Sequence, residues 1–133
     1  MLLIVLLRNL RWNKLQDAIP PEIGELKKLT HLFLSFNNFK GDIPVELANL
    51  QELRYLYLHE NRLTGKIPPE LGNLKYLRHL YLDHNAFTGR IPDGFYKHPF
   101  LKELYIEGNQ FKPGAKPKGN HKVLDLIDTE FLF

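Results

Sequence analysis

Apolar residues recur at a fixed interval of 24 positions along most of this chain of 133 residues. Within each interval, leucines alternate with other residues, as in Leu56-Tyr57-Leu58, which is the pattern of a short strand with one buried face. A repeat of this length cannot bury its apolar face alone, so neighbouring units stack and bury it together. The pattern therefore predicts a solenoid with a short parallel sheet on its inner, concave face.

An asparagine follows each predicted strand at the same interval. The five are Asn13, Asn37, Asn61, Asn85 and Asn109. A primary amide has two donors and two acceptor sites, so a buried asparagine can bridge backbone groups of adjacent turns. We interpret the five as a structural ladder along the stack rather than as catalytic residues.

The second half of each unit predicts turns rather than a long helix. Gly41, Gly65 and Gly89 permit a backbone bend, and the Ile-Pro pair that follows each of them favours an extended segment. A proline followed by glutamate, as at Pro69 and Glu70, is typical of a helix start. Because a 24-residue unit leaves no room for a long helix, we expect 3₁₀ or irregular turns.

We predict one domain over residues 1–133, made of five repeats and a closing segment. The repeats cover about 5–28, 29–52, 53–76, 77–100 and 101–122, and the closing segment covers 123–133, with a final strand at Val123 to Leu126. Met1 to Leu7 is interpreted as the first repeat strand, because it has no basic residue before it and no small-residue cleavage site after it. Arg8 occupies a leucine position of the other units, which predicts either a frayed first unit or an arginine side chain that extends to the open end of the stack.

Side chains between and just after the strand leucines are expected to face outward on the concave side. Because stacked strands lie about 4.8 Å apart, equivalent residues form columns. One column is aromatic in four successive units: Phe33, Tyr57, Tyr81 and Tyr105. Tyrosine is enriched at binding hot spots, which favours a binding surface. The alternative is that aromatic residues simply suit strands and pack against one another across them.

Two further columns carry polar and titratable groups. They are Ser35, His59, Asp83 and Glu107, and His31, Tyr55, His79 and Glu103. Histidines with carboxylates can hold a metal or act as acid and base, but an open sheet has no pocket to exclude water, so a polar contact with a partner is favoured. His31 and His79 are interpreted as plain solvated surface, with pH sensitivity as the alternative. The predicted ligand-binding residues are Phe33, Tyr55, Tyr57, His59, His79, Tyr81, Asp83, Tyr105 and Glu107; no catalytic residue, metal site or cofactor is predicted.

The stretch from Leu53 to Leu74 resembles the plant-type leucine-rich repeat, Leu-x-x-Leu-x-Leu-x-x-Asn-x-Leu-x-Gly-x-Ile-Pro-x-x-Leu-Gly-x-Leu. The tail that begins near Phe95 is similar to the ending of a kinase-less, secreted group of plant repeat proteins. The resemblance implies an α/β fold: a right-handed superhelix of strands and 3₁₀ turns. It also implies a non-catalytic module that recognises a protein or peptide ligand in plant cell-surface signalling or defence.

Two alternative functions follow from the same resemblance. One is inhibition of a cell-wall polysaccharide hydrolase, as in polygalacturonase-inhibitor-like proteins; the other is a truncated receptor-like ectodomain fragment. The implied partners are a receptor kinase ectodomain or a secreted hydrolase, and the implied location is secreted, at the cell surface or in the cell wall. Such relatives carry a secretion signal and a cysteine-paired cap before the first repeat, so their absence here is interpreted as N-terminal truncation.

The amino-acid composition excludes several kinds of functional site and disfavours one class of partner. The absence of cysteine excludes disulfides, thiol catalysis and zinc–thiolate sites. The net charge is +3, but acidic residues are interspersed among the basic ones, which disfavours nucleic acid as a partner. Lys112 to Lys122 is interpreted as a solvated loop, with contact to acidic polymers as the alternative. No apolar run reaches the roughly 20 residues of a membrane span. The sequence also has no nucleophile–base motif, phosphate-binding glycine loop or cofactor fingerprint.

Overall fold

The computed structural model describes residues 18–112. Several predictions fall on residues outside this range. They concern the strand at Met1 to Leu7, Arg8, Asn13, the lysine-rich segment after Lys112 and the closing segment 123–133. The described part contains the second, third and fourth predicted repeats complete and the strand of the fifth.

Within residues 18–112, eight short strands form two parallel sheets. In chain order they are β1 (His31–Phe33), β2 (Lys40–Asp42), β3 (Tyr55–Tyr57), β4 (Arg62–Lys66), β5 (His79–Tyr81), β6 (Ala86–Gly89), β7 (Glu103–Tyr105) and β8 (Gln110–Phe111). The concave sheet has the order β1-β3-β5-β7, and the second sheet has the order β2-β4-β6-β8. Each concave strand pairs with the next at an offset of 24 residues, as in Leu32 with Leu56. The parallel concave sheet was predicted, whereas the second sheet was not.

In the described part of the chain, three 3₁₀ helices and one α-helical turn form the opposite flank. The 3₁₀ helices are Pro21–Glu25, Val45–Asn49 and Pro69–Asn73, and helix α1 is Asp93–Tyr96. The α-helical turn differs from the expected 3₁₀ or irregular turn. Tyr96 stands where the preceding unit has Gly72, and both Phe95 and Tyr96 are buried. The wider turn of an α-helix accommodates this second buried ring.

One apolar core runs the length of the described stack. The inward-facing leucines of the concave strands have no solvent exposure: Leu32, Leu56, Leu80 and Leu104. The apolar residues that begin and end the turns join the same cluster, including Ile43, Ile67 and Ile91. In the fourth unit, His98 stands where the two preceding units have Leu50 and Leu74, and it is also buried. Its Nε2 lies 2.6 Å from the Leu74 carbonyl oxygen, and its Nδ1 accepts from the backbone N–H groups of Phe100 and Leu101, so the imidazole is fully hydrogen-bonded.

Each repeat unit forms one rung of the stack. Asparagine side chains connect a rung to the one before it. The Nδ2 of Asn61 donates to the carbonyl oxygens of Leu34 at 2.9 Å and Leu58 at 3.0 Å, and its Oδ1 accepts from the backbone N–H of Phe39 at 3.2 Å. Asn85 and Asn109 repeat this arrangement one and two rungs later. These bonds satisfy backbone groups that the turn would otherwise leave without partners. They also fix the register in which the concave strands align.

Two glycines in the helical flank are expected to respond in opposite ways to alanine substitution. A Cβ at Gly24 would lie 2.5 Å from the backbone oxygen of Glu46, whereas a Cβ at Gly94 would meet only the Cα of Gly72 at 3.7 Å. Gly24→Ala should therefore lower the free energy of unfolding by about 1–3 kcal/mol. Gly94→Ala should leave it unchanged or raise it by about 0.5 kcal/mol, because alanine favours the helix. Urea unfolding of both variants checks this, and equal losses would contradict it.

Candidate functional site on the concave face

The concave surface is built by the alternation of each three-residue strand. The central leucine points into the core, and the residues on either side point to the outside. Phe33 is 51% exposed and Tyr105 is 42% exposed, although both are large and mostly apolar. Tyr57 and Tyr81, between them, are half-buried by their neighbours. The sheet thus presents an exposed aromatic surface.

The aromatic column consists of Phe33, Tyr57, Tyr81 and Tyr105. Ring centroids lie 4.6 Å apart between Phe33 and Tyr57, and 4.2 Å apart between Tyr57 and Tyr81, with the second pair only 3° from parallel. Tyr105 is 4.6 Å from Tyr81 but tilted by 52°. Because the stacked rings cover one another's faces, a partner meets their edges and hydroxyl groups. Tyr105, which is tilted and 42% exposed, is more accessible than the half-buried Tyr57 and Tyr81.

A second stacked column runs beside the first. Its members are His31, Tyr55 and His79, with centroid distances of 4.4 Å and 4.8 Å between successive rings. Tyr55 and Tyr57 contact each other edge-to-face within one strand, at 6.4 Å and 89°. Stacked and edge-to-face pairs add roughly 0.5–1.5 kcal/mol each beyond their buried area. The two columns therefore form one rigid aromatic surface.

Glu103 joins the two columns at the C-terminal end of the described sheet. Its Oε2 accepts hydrogen bonds from the hydroxyls of Tyr105 at 2.7 Å and Tyr81 at 3.0 Å. Its Oε1 lies 2.8 Å from Nδ1 of His79, a contact that becomes an ion pair when His79 is protonated. The sequence placed Glu103 in the histidine column, but it did not identify the residue as the group that orients two tyrosine hydroxyls.

The electrostatics of this cluster follow from those hydrogen bonds. Donation from the Tyr105 hydroxyl, followed by that from Tyr81, lowers the pKa of Glu103 below its ordinary 4.5. The pKa of Tyr105 is raised, mainly because its hydroxyl donates to Glu103. Burial first, and then hydrogen bonding with Tyr57 and Glu103, raises the pKa of Tyr81 well above that of a free tyrosine. Both phenols therefore stay protonated and remain hydrogen-bond donors.

Replacing Glu103 by glutamine is expected to change how stability depends on pH. Because the folded state lowers the pKa of this carboxyl, its contribution to the free energy of unfolding is complete above pH 4.5 and is lost as the pH falls through the lower folded-state pKa. Urea unfolding of the native chain and E103Q should differ most above pH 4.5 and converge in stronger acid. A difference that stays constant with pH would contradict this account.

The third column, which we call the polar column, consists of Ser35, His59, Asp83 and Glu107. It does not form a catalytic arrangement. Ser35 Oγ and His59 Nδ1 are 2.7 Å apart. Asp83, one rung further on, lies 4.0 Å from Nε2 of His84 instead. Within residues 18–112 no hydrogen bond connects Asp83 to His59, so serine, histidine and aspartate are not aligned as nucleophile, base and orienting acid. The same residues contain no group of three or more histidine, aspartate or glutamate side chains placed to hold a metal ion.

Two family models match this chain. The model described as "Leucine rich repeat" matches residues 8–63, and that described as "Leucine Rich repeats (2 copies)" matches residues 51–93. Together they cover residues 8–93. The described part of that range, 18–93, contains Asn37, Asn61 and Asn85 of the ladder and the buried Leu32, Leu56 and Leu80. The chain belongs to the leucine-rich repeat family. Its fold and the resemblance to the plant extracellular class are thereby confirmed, since the similar structures include plant receptor ectodomains of this kind. A search of curated proteins finds no match.

Several solved plant leucine-rich repeat structures are similar to the chain. The Arabidopsis thaliana ectodomain of GASSHO1/SCHENGEN3, in complex with CASPARIAN STRIP INTEGRITY FACTOR 2, is 40% identical with a TM-score of 0.72, over 74% of this chain and 12% of that one. The Arabidopsis receptor kinase HAESA, in complex with the peptide hormone IDA and SERK1, is 39% identical with a TM-score of 0.68, over 71% and 16%. The Arabidopsis thaliana BIR2 ectodomain is 31% identical with a TM-score of 0.70, over 83% and 59%.

This leucine-rich repeat chain thus spans only a small part of the two receptor ectodomains, between 12% and 16% of their length. Among residues 18–112, none of the helices has the length and hydrophobicity that a membrane span needs.

The predicted ligand-binding residues all lie on the concave side of the strands or just after them. They occupy the three columns: Phe33, Tyr57, Tyr81 and Tyr105; Tyr55 and His79; His59, Asp83 and Glu107.

Proposed function

We propose that this leucine-rich repeat chain is a non-catalytic module that binds a protein or peptide ligand on its concave face, outside the cell, in plant signalling or defence. The observation that carries the proposal is the stacked aromatic surface. Large rings that are 42–51% exposed at both ends of the column are costly to leave in water, and burying them against a partner is favourable.

The rigidity of the surface supports the same function. Stacking restricts the rings of Tyr57 and Tyr81, and Glu103 orients the hydroxyls of Tyr81 and Tyr105 before any ligand arrives. A side chain that is already ordered loses little conformational entropy on binding, so more of the contact energy contributes to affinity. Tyrosines arranged in this way are typical of binding hot spots.

The similar structures support a peptide or protein as the ligand class. HAESA was solved with a peptide hormone and a co-receptor, and GASSHO1/SCHENGEN3 with an integrity factor. Extended concave surfaces are the usual binding surfaces of repeat solenoids. On this basis we propose that the partner is a peptide, a receptor kinase ectodomain or a secreted hydrolase.

A competitive peptide selection tests the proposal. A random peptide library is selected on the immobilised chain, with either the soluble native chain or the Tyr57→Ala/Tyr81→Ala variant as competitor. We expect the native competitor to abolish recovery of binding peptides and the variant to leave it largely unchanged. Equal competition by both proteins would show that the peptides bind elsewhere and would overturn the proposal.

A further inference from the structure

A row of basic residues lines one edge of the concave sheet. Arg54, Arg78 and Lys102 each stand immediately before a concave strand, at the 24-residue interval. Their backbones are in register, because Arg78 N–H donates to the Arg54 carbonyl at 2.8 Å and Lys102 N–H donates to the Arg78 carbonyl at 2.7 Å. We call these three residues the basic edge.

The charges of the basic edge are not neutralised within the described stack. No ion pair joins Arg54, Arg78 or Lys102 to any of residues 18–112. The guanidinium of Arg54 lies 5.9 Å from the ring centroid of the exposed Tyr76. The neighbouring carboxylate of Glu103 is already engaged by two tyrosine hydroxyls and by His79.

Acidic residues line the opposite edge, where the strands end. Asp83 and Glu107 occupy the polar column, and the exposed Glu60 stands one position after that column, with a positive φ of 57°. Their rungs are also in register, because the Glu60 N–H donates to the Asp83 carbonyl at 3.1 Å. His84 lies 4.0 Å from Asp83 and offsets its charge only when protonated. We call Glu60, Asp83 and Glu107 the acidic edge.

All concave strands are parallel, so like charges collect at each edge and the face is polarised along the strand direction. Like charges on adjacent strands repel, and a partner that carries the opposite charge at each edge would relieve this repulsion. The aromatic columns lie between the two edges. A uniformly acidic or uniformly basic partner would match one edge and be repelled by the other.

We propose that the concave face selects a dipolar peptide segment that runs along the strand direction, with carboxylates over the basic edge, apolar residues over the tyrosines and lysine or arginine over the acidic edge. This inference rests on the proposed function and specifies its ligand. Arg78 and Asp83 are five residues apart, or roughly 16 Å at the rise of an extended strand. A matching extended peptide therefore has its opposite charges about five residues apart.

Three synthetic octapeptides test the inference. Each has four apolar residues at its centre, flanked by two glutamates and two lysines, by four glutamates, or by four lysines. Two variants reverse the edges: Arg78→Glu/Lys102→Glu for the basic edge and Asp83→Lys/Glu107→Lys for the acidic edge. The fourfold variant reverses both edges and so restores a polarised face. Affinities are measured by fluorescence anisotropy at about 0.05 M and about 0.5 M salt, since screening weakens charge contacts.

The native chain is expected to bind the mixed-charge peptide roughly tenfold more tightly than either uniform peptide at low salt, with a smaller difference at high salt. Reversing the basic edge should shift the preference to the lysine peptide, and reversing the acidic edge should shift it to the glutamate peptide. The fourfold variant should again prefer the mixed peptide. Far-UV circular dichroism confirms that each variant is folded before its affinity is compared.

Two results would overturn the inference. One is a preference that follows net charge alone, with the native chain, at net charge +3, favouring the glutamate peptide. The other is equal affinity for all three peptides. If peptides selected on the native chain still require Tyr57 and Tyr81 in either case, the proposed function stands and only the dipolar ligand is wrong.

Discussion

Replacing Asn85 by alanine is expected to lower the free energy of unfolding by about 3 kcal/mol, because it removes several hydrogen bonds and leaves their backbone partners unpaired. The Nδ2 group donates to the carbonyl of Leu58 in the preceding rung at 2.9 Å and to that of Leu82 in its own rung at 3.3 Å. The Oδ1 accepts from the Leu63 N–H at 3.0 Å. Urea unfolding followed by circular dichroism measures the loss.

Asn73→Ala is the matched control for this prediction. Asn73 is exposed at the end of the third 3₁₀ helix, and its side chain forms no hydrogen bond within residues 18–112. Its replacement should change the free energy of unfolding by less than about 0.5 kcal/mol. Equal losses in the two variants would mean that the asparagine ladder does not hold adjacent rungs together.

The Tyr57→Ala/Tyr81→Ala double variant is expected to bind a peptide selected on the native chain at least about 100-fold more weakly, because central aromatic hot spots each contribute about 2 kcal/mol or more. The two rings are the central pair of the column, 4.2 Å apart and nearly parallel. Removing both also frees the Glu103 carboxylate from one of its hydroxyl donors. Isothermal titration calorimetry gives the affinity of both proteins.

Thr64→Ala/Thr88→Ala is the matched control for binding. Both threonines belong to the second sheet, away from the concave strands, so the double substitution should change affinity by less than about twofold. Tyr81→Phe separates the ring from its hydroxyl: it keeps the stack but loses the hydrogen bond to Glu103. We expect it to weaken binding much less than removal of both rings. A loss in the threonine variant as large as that in the tyrosine variant would place the ligand elsewhere.

The repeat period was sufficient to predict the core and the concave sheet. Leu56 and Leu80 recur with the asparagines, and hydrophobic burial with a fixed register leaves one arrangement in which all of them are inside. The second sheet was missed because strands such as Lys40–Asp42 and Arg62–Lys66 contain charges and a glycine rather than alternating apolar residues. These strands pair because the stacking of repeats brings their backbones together. They therefore show no hydrophobic alternation that could be detected in the sequence.

The site was predictable in its columns but not in its contacts. Spacing places Tyr81 and Glu103 in neighbouring columns, yet the hydrogen bond between them depends on side-chain rotamers that no sequence pattern encodes. The backbone conformation of the residues that follow the polar column was also not predicted. Phe36, Glu60 and His84 all adopt a left-handed conformation, with φ between 55° and 58°. The equivalent Gly108 in the fifth repeat was a signal that could have indicated this conformation.

Thiol protection tests the central claim, that the ligand lies on the concave face, most directly. The chain has no cysteine, so a single introduced thiol reports on one place. Ser35→Cys lies in the polar column beside His59, and Thr64→Cys lies on the second sheet of the next repeat. A saturating selected peptide should slow maleimide labelling of Ser35→Cys at least about tenfold and leave Thr64→Cys unaffected, because bound peptide excludes solvent from the concave face. Protection of Thr64→Cys without protection of Ser35→Cys would contradict the account.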